Sequence, residues 1–346
     1  MITLPPHRLD LSGHLRSHGP LGGLDIGAVA ESGLRGRGGG GYPTASKFVA
    51  VRGKRRTVIA NGCESDPLSA KDHALLTRAP HLVLDGIKAA AQVVGASSAV
   101  LCLHEGSAAA SSVAAAMAER RDRVRLVEVP ASFVSGEESA LVHYLGKGDA
   151  RPTGKSPRPA ERGMLVENVD TLAQLALIAR HGPAAYREFR TELVTVLGAV
   201  RRPGVVEVPA TAGLADILAA AGGGSRPLRA LLIGGHGGTW VAPDADPPRR
   251  GLSSVYALPA TESGLAVTAD MLAWLATQSA RQCGPCEFGL PSVAADFAAL
   301  ARGDRDARGR LARRLPMLTA RGACALPDGA ARLAASALEV FREEAA

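Results

Sequence analysis

The chain has 346 residues, 46% of them apolar and 21% charged, a composition that excludes general disorder. That length allows two or three cores, since single cores stop growing near ~250–300 residues. No run approaches the ~18 uninterrupted apolar residues of a membrane helix, which excludes direct membrane insertion. The net charge of +7 comes from 40 basic and 33 acidic residues. Its sign fits an acidic partner such as a ferredoxin. The basic residues are mostly Arg in an Ala- and Gly-rich chain, so compositional bias gives the same excess, and spatial clustering of the Arg decides between the two. Aromatics make up only 3% of the residues, too few to stack on single-stranded nucleic acid, which is excluded as a partner. Met1 leads into a Pro- and His-containing stretch, not a basic segment with an apolar core, and a cytoplasmic location is expected.

Residues 1–30 are spaced by Pro, His and Gly, which predicts a short helix and a connector. Apolar runs of strand length follow at 57–60 and 99–104, with alternation at 124–129. Between them lie Ala-rich segments of helical length at 80–94 and 107–120. This order predicts an α/β domain with a mostly parallel sheet covered by helices. Residues 136–145 predict a helix with acids in its first turn, where the macrodipole favours them. Residues 147–163 form a Pro/Gly/Arg-rich loop, and 172–180 resume helical spacing.

A second unit begins near Glu192, with strands at 193–197, 204–208 and 230–233 and a helix at 214–221. Arg202-Pro203-Gly204 supplies the turn of this small α+β module. Residues 243–251 read as a linker. Four helical segments at 268–281, 291–301, 305–319 and 329–344 then predict a small bundle. The expected domains are 1–190, 191–245 and 246–346.

Gly36-Arg37-Gly38-Gly39-Gly40-Gly41-Tyr42-Pro43-Thr44 is the most unusual stretch. It contains G-x-G-x-x-G, but a dinucleotide fingerprint follows a strand, and 26–34 reads as a helix, so the ordinary Rossmann reading is rejected. The physics of the glycines still holds: without Cβ atoms, consecutive amides can wrap an anion. Arg35 and Arg37 can pair with phosphate bidentately, and Lys47 adds a point charge. A flexible loop or a packing turn would use the same residues. Gly148 to Ser156 misses the P-loop spacing by one residue, and Pro157 and Pro159 block the helix it would need.

Asn61-Gly62-Cys63-Glu64-Ser65-Asp66-Pro67 directly follows the first strand, the end at which ligands collect in α/β sheets. Asn61 offers donors and an acceptor that suit the edge of a flavin ring. Glu64 and Asp66 can accept from ribityl hydroxyls or a nicotinamide amide; the bland alternative is a solvated turn. Gly136-Glu137-Glu138 shares the predicted sheet edge. Five cysteines make no disulfide framework at this length. Cys63 and Cys102 stand apart, whereas Cys283, Cys286 and Cys324 lie together in the last quarter and read as a metal site.

Six stretches together resemble, in order, the flavin-bearing NADH-oxidising subunit of respiratory complex I and its relatives in soluble NAD-reducing hydrogenases and formate dehydrogenases. They are 32–44 (SGLRGRGGGGYPT), 60–67 with Lys71-Asp72, 135–141 (SGEESAL), 166–172 (VENVDTL), 197–209 (LGAVRRPGVVEVP) and 278–289. The resemblance implies an FMN site in the α/β domain, a β-grasp-like module, and a helical bundle holding a [4Fe–4S] cluster. Carried over by position, Gly36, Arg37, Gly38, Gly39 and Lys47 would hold the FMN phosphate side. Asn61, Glu64, Gly136, Glu137, Glu138, Asn168 and Thr171 would line the ring and ribityl chain, and Tyr42 would stack on the nicotinamide nucleotide.

The departures from the family pattern are specific. Cys63 replaces an acid, Asp66 a Glu and Glu167 an Asn, while Ala50 and Arg158 stand where aromatics are usual. Arg158 can substitute by stacking its guanidinium plane. Of four cluster cysteines three are present, Cys283, Cys286 and Cys324, with Ala280 where the family has the first. Three thiolates leave a [4Fe–4S] with an outside ligand, a [3Fe–4S], a zinc ion or nothing as outcomes. The expected function is an FMN-dependent oxidoreductase that takes electrons from NAD(P)H and passes them to an iron–sulfur cluster or a ferredoxin-type partner. The alternative is a non-enzymatic relay or docking subunit of a redox complex that has lost NAD(H) binding.

Overall fold

The computed structural model describes residues 4–154, 156–245 and 252–344, so Lys155 and most of the expected linker lie outside the described residues. Two short helices, α1 (Leu11–His18) and α2 (Ile26–Ser32), precede the glycine-rich stretch. Each begins on an aspartate whose side chain accepts a first-turn amide, Asp10 from Gly13 and Asp25 from Ala28. Helix α3 (Thr44–Val49) follows the glycines. The chain then runs through β1 (Thr57–Asn61), α4 (Lys71–Arg78), α5 (Pro80–Val94), β2 (Ser98–His104) and α6 (Ala110–Ala118). It continues through β3 (Val124–Val129), α7 (Glu138–Lys147), β4 (Met164–Asn168) and α8 (Val169–Phe189). Helix α5 opens on Pro80 and stops at left-handed Gly95, the punctuation that makes it legible in the sequence. Helix α8 is broken at Gly182 (φ 78°, ψ 164°) ahead of Pro183.

The first four strands pair in parallel in the order β3-β2-β1-β4. Their alternate side chains feed two cores. Val58, Ala60, Leu101 and Leu165 pack with residues of α5 and α8, whereas Ile59, Val100, Cys102 and Val166 pack with Leu141 of α7. From β1 the chain builds outward to β3, then crosses back to lay β4 on the other side of β1. That reversal makes β1/β4 the topological switch point, where an open α/β sheet leaves a crevice beyond its carboxyl ends. Asn61 and Asn168 sit there, paired in register. Sequence patterning did not mark β4 as a strand, because its short apolar run ends in Glu167-Asn168.

The second sheet contains β5 (Thr191–Gly198), β6 (Gly204–Pro209), β7 (Leu228–Ile233), β8 (Thr239–Val241) and β9 (Ser254–Pro259), in the order β6-β5-β9-β7-β8. Strand β9 lies in the stretch read as linker and bundle, yet it runs up the middle, parallel to β5 and antiparallel to β7. Its apolar SVYALP run has strand length, but the Pro/Gly-rich segment before it masked the signal. Helix α9 (Leu214–Ala220) covers one face. The other face, through Ala230, Leu232, Trp240 and Leu258, packs on the C-terminal bundle. That bundle is α10 (Gly264–Thr277), α11 (Leu290–Ala301), α12 (Asp306–Leu318) and α13 (Leu326–Val340). The expected fold class therefore holds: a parallel α/β domain, a small α+β module and a helical bundle.

The contact between α5 and α8 behind β1 and β4 is tight. A Cβ on Gly86 would stand 1.9 Å from the carbonyl oxygen of Leu172. Gly86→Ala should therefore lower stability by about 3 kcal/mol or more through overpacking. Gly146→Ala in α7, where nothing lies within 4 Å, should instead gain up to about 1 kcal/mol. Paired urea melts check both signs.

Candidate cofactor site

The glycine-rich loop is a closed turn, not a strand-to-helix elbow. The Gly36 amide donates to the Tyr42 carbonyl at 2.8 Å, the Thr44 amide to the Leu34 carbonyl at 3.0 Å, and Arg35 Nε to the Gly41 carbonyl at 2.8 Å. Gly39 (φ 91°) and Gly41 (φ 57°) hold left-handed conformations that side chains resist. Nothing lies within 4 Å of where a Cβ on Gly39 or Gly40 would stand, so this length of main chain faces open space. On its other side the loop lies against the start of α8. The Arg37 amide donates to Thr171 Oγ1 at 2.9 Å, and a Cβ on Gly38 would be 3.4 Å from Asn168 Cβ.

The Arg37 side chain does not reach toward the crevice. Its guanidinium is ion-paired with Asp170 at 3.4 Å and with Glu192 of β5 at 2.7 Å. Lys71, 3% exposed, pairs with Asp72 at 2.6 Å and with Asp170 at 3.4 Å. Asn168 joins them: its Oδ1 accepts from the Asp170 amide and from Lys71, and its Nδ2 donates to Asp72. Asp170 is wholly buried; burial would raise its carboxyl, but Lys71 and then Arg37 hold it below its ordinary value. Asn168, Thr171 and Arg37 thus act as struts that seat the loop.

Across the crevice, Asn61 Nδ2 donates to the Gly136 carbonyl at 2.7 Å, joining the loops after β1 and β3. Gly136 has no room for a side chain, since a Cβ would lie 2.8 Å from Ser65 Oγ. Lys47, from α3, meets Glu138 at 3.1 Å. Burial alone would lower the Lys47 ammonium, but Glu167 and Glu138 hold it above its ordinary value. Tyr42 is 47% exposed at the mouth, with the Arg158 guanidinium over its ring.

Three carboxylates expected to face a ligand are engaged by the protein itself. Glu64 accepts from the amides of Asp72 and His73 and from Ser69 Oγ, capping α4, whose own N-cap residue Ala70 has no side-chain bond to give. Glu137 caps α7 through the amides of Ser139 and Ala140. Asp66 accepts from the amide and Nδ1 of His236, both at 2.8 Å, tying the first domain to the second sheet. His236 lies 4.5 Å from the Trp274 ring of α10, and Trp274 meets Phe133 edge-on at 5.5 Å.

In the bundle, α10 gives way through left-handed Arg281 (φ 50°) to a π-helical turn at Pro285–Gly289 that leads into α11. Such turns are frequent at functional sites. The Cys286 amide donates to the Cys283 carbonyl at 3.0 Å; burial would raise the Cys283 thiol, but the main chain of Ala323 and of Cys286 holds it below its ordinary value, with the Cys324 segment alongside. Cys286 and Cys324 are buried, and Ala280 packs with Cys283 against the same core. Among the described residues, no three His, Cys, Asp or Glu side chains gather closely enough for one metal ion. The thiolates of a [4Fe–4S] or [3Fe–4S] cluster each bind a different iron. The donor set supplies three thiolates, which does not complete a four-cysteine cluster.

Residues 29–177 match the Nuo51 FMN-binding domain, 193–238 an SLBB domain, and 266–346 the NADH-ubiquinone oxidoreductase-F iron-sulfur binding region. The chain is a relative of the complex I 51 kDa family. The second F-type subunit of NADH-quinone oxidoreductase in Rhizobium meliloti is 28% identical over 365 residues, 91% of this chain and 86% of that protein. The NAD-reducing hydrogenase HoxS subunit alpha of Cupriavidus necator is 27% identical over 304 residues, 76% of this chain and 50% of that one. A crystal structure of an NAD+-reducing [NiFe]-hydrogenase in the H2-reduced state superposes with a TM-score of 0.83 at 29% identity. It covers 92% of this chain, which spans 62% of that hydrogenase chain. Among the described residues, no helix is long and apolar enough to cross a membrane.

The FMN-binding domain fits a phosphate-bearing cofactor at the crevice: a bare glycine main chain opens onto it, and the Lys47 ammonium stands at its edge. Sequence reasoning missed Asp170, whose role depends on partners in three distant segments. It noted Glu167 only as a departure from the family. Glu167 is 3% exposed on β4, and its Oε1 has no hydrogen-bond partner. Burial pushes its carboxyl up to about 7, against the pull of Lys47 and with Glu138 adding to the rise. Unfolded, it would lose its proton near ~4.3. Between those values the folded chain holds a proton that the unfolded chain does not, so stability falls as pH rises through the window. Glu167→Gln should remove this dependence, gaining up to about 3 kcal/mol on the wild type between pH 4.5 and 7.5. Chemical denaturation at both pH values checks this; a pH-independent difference contradicts it.

Proposed function

We propose that this chain is an FMN-dependent oxidoreductase that takes electrons from NAD(P)H and passes them to an iron–sulfur centre or a ferredoxin-type partner within a larger redox assembly. One observation carries the reading: the open glycine turn, Lys47 and the carboxyl ends of β1 and β4 meet at the sheet's switch point. FMN would supply the chemistry of accepting a hydride and releasing electrons singly.

The protein's part is binding and orientation. The main chain at Gly38–Gly40 and the Lys47 ammonium hold the phosphate end, with Arg37 acting from behind as the anchor of the turn. Asn61 and Gly136 fix the facing wall, and Glu138 orients Lys47. Tyr42 presents an exposed ring at the mouth for the nicotinamide nucleotide. The three thiols of Cys283, Cys286 and Cys324 would hold a cluster of three cysteine ligands. The relay reading, with NAD(H) binding lost, draws on Asp66 being held by His236.

An anaerobic preparation should carry FMN that bleaches on addition of NADH or NADPH. Flavin reduced only by a ferredoxin would overturn the donor assignment and favour the relay. Gly40→Glu, at a position without left-handed strain, places a negative charge in the turn. It should weaken FMN retention on the order of 100-fold or more. Full flavin occupancy in that variant would contradict the phosphate assignment.

A further inference from the structure

The crevice offers a bound anion one ammonium and sets two carboxylates beside it. Lys47 reaches from α3 to Glu138, the first residue of α7, at 3.1 Å. Glu167 stands at the carboxyl end of β4, beside Asn168 and paired in register with Ala60 of β1, which carries no charge. The charges that act on it are Lys47 from α3 and Glu138 from α7. Arg158, just before the 3-10 turn Pro159–Arg162, acts on Lys47 and opposes its charge. Beyond Asn168, the charges of Asp170, Lys71, Asp72 and Arg37 are paired with one another. The two carboxylates differ in their freedom. Glu138 keeps 32% of its side chain exposed and can turn toward water. Glu167 is buried and its Oε1 has no hydrogen-bond partner, so among the described residues Lys47 alone offsets a charge there.

We propose that Glu167 is a positioning residue for the anionic end of the cofactor: FMN binding makes it take up a proton from solvent, which frees the Lys47 ammonium for the phosphate. This rests on the FMN reading. A phosphate monoester brings about −1.5 to −2 of charge at pH 7. Three acidic groups then compete for one ammonium, and like charges at close range do not all ionise. Glu138 can move into solvent, and the phosphate has the glycine amides as donors. Glu167 has neither outlet. It gives way by becoming a neutral acid, at small cost, because burial already pushes its carboxyl up to about 7. Losing Lys47 as a partner and gaining a phosphate as a neighbour both raise it further. Above pH 7 the loaded chain thus holds a proton that the free chain has released, and FMN binding weakens as pH rises.

The flavin-free full chain is titrated with FMN by calorimetry near pH 8, in Tris and in HEPES, whose different heats of ionisation reveal the protons exchanged. The phosphate of free FMN is already fully ionised there, its second pKa lying near ~6. About one proton should be taken up per FMN, and Kd should rise by up to about tenfold between pH 7.5 and 8.5. Glu167→Gln should lose both the uptake and the pH dependence, and should bind FMN more tightly than the wild type at the higher pH. FMN bound by the wild type without proton uptake overturns the proposal alone, and that measurement needs no variant. Uptake that survives Glu167→Gln overturns the assignment to Glu167. A folded chain that binds no FMN at any of these pH values removes the cofactor reading as well.

Discussion

Arg37 looks from the sequence like a phosphate ligand, but the fold uses it to hold the loop in place. Its guanidinium bridges Asp170 at the start of α8 and Glu192 on β5, while Lys71 closes the other side of Asp170. Removing Lys71 would leave the buried Asp72 carboxylate without its cation, a loss of about 3–5 kcal/mol. The network fixes three things together: the glycine turn, the first turn of α8, and the position of the second sheet against the first domain. Asp170 also sits in the first turn of its helix, where the macrodipole favours a negative charge.

With the turn fixed, the switch point between β1 and β4 becomes a crevice with one wall of bare main chain and another of side chains already hydrogen-bonded. A site of this kind recognises its ligand through preorganisation, because few of its polar groups must reorder on binding. The same region is where the three modules meet. Asp66 reaches from the loop after β1 to His236 in the second sheet, whose ring lies on Trp274 of the bundle, and Trp274 meets Phe133 beside the Gly136 loop. The flavin side and the cysteine-bearing bundle are thereby held by short-range contacts.

Elements with strong punctuation were legible in the sequence. Helix α5 runs from a proline to a left-handed glycine, and β2 and β3 have unbroken or alternating apolar runs. Strands β4 and β9 were not read as strands, one because it ends in polar residues that serve the crevice, the other because a Pro/Gly-rich segment precedes it. The site was legible as a set of positions but not as a set of roles. Glu137 stands just before α7 and Glu64 folds back onto the start of α4, and unpartnered first-turn amides take a nearby carboxylate before any ligand can. Asp66 and Arg37 found partners 170 and 155 residues away, which no local pattern encodes.

What remains open toward the crevice is the glycine main chain and one ammonium, Lys47, shared with Glu138 and the buried Glu167. Binding strength therefore lies in the anionic end of the cofactor and not in its ring. Calorimetric titration of the flavin-free chain with FMN and with riboflavin tests this directly, since the two differ only by the phosphate. FMN should bind on the order of 100-fold tighter. Equal affinity for the two, in a chain that binds both, would contradict it.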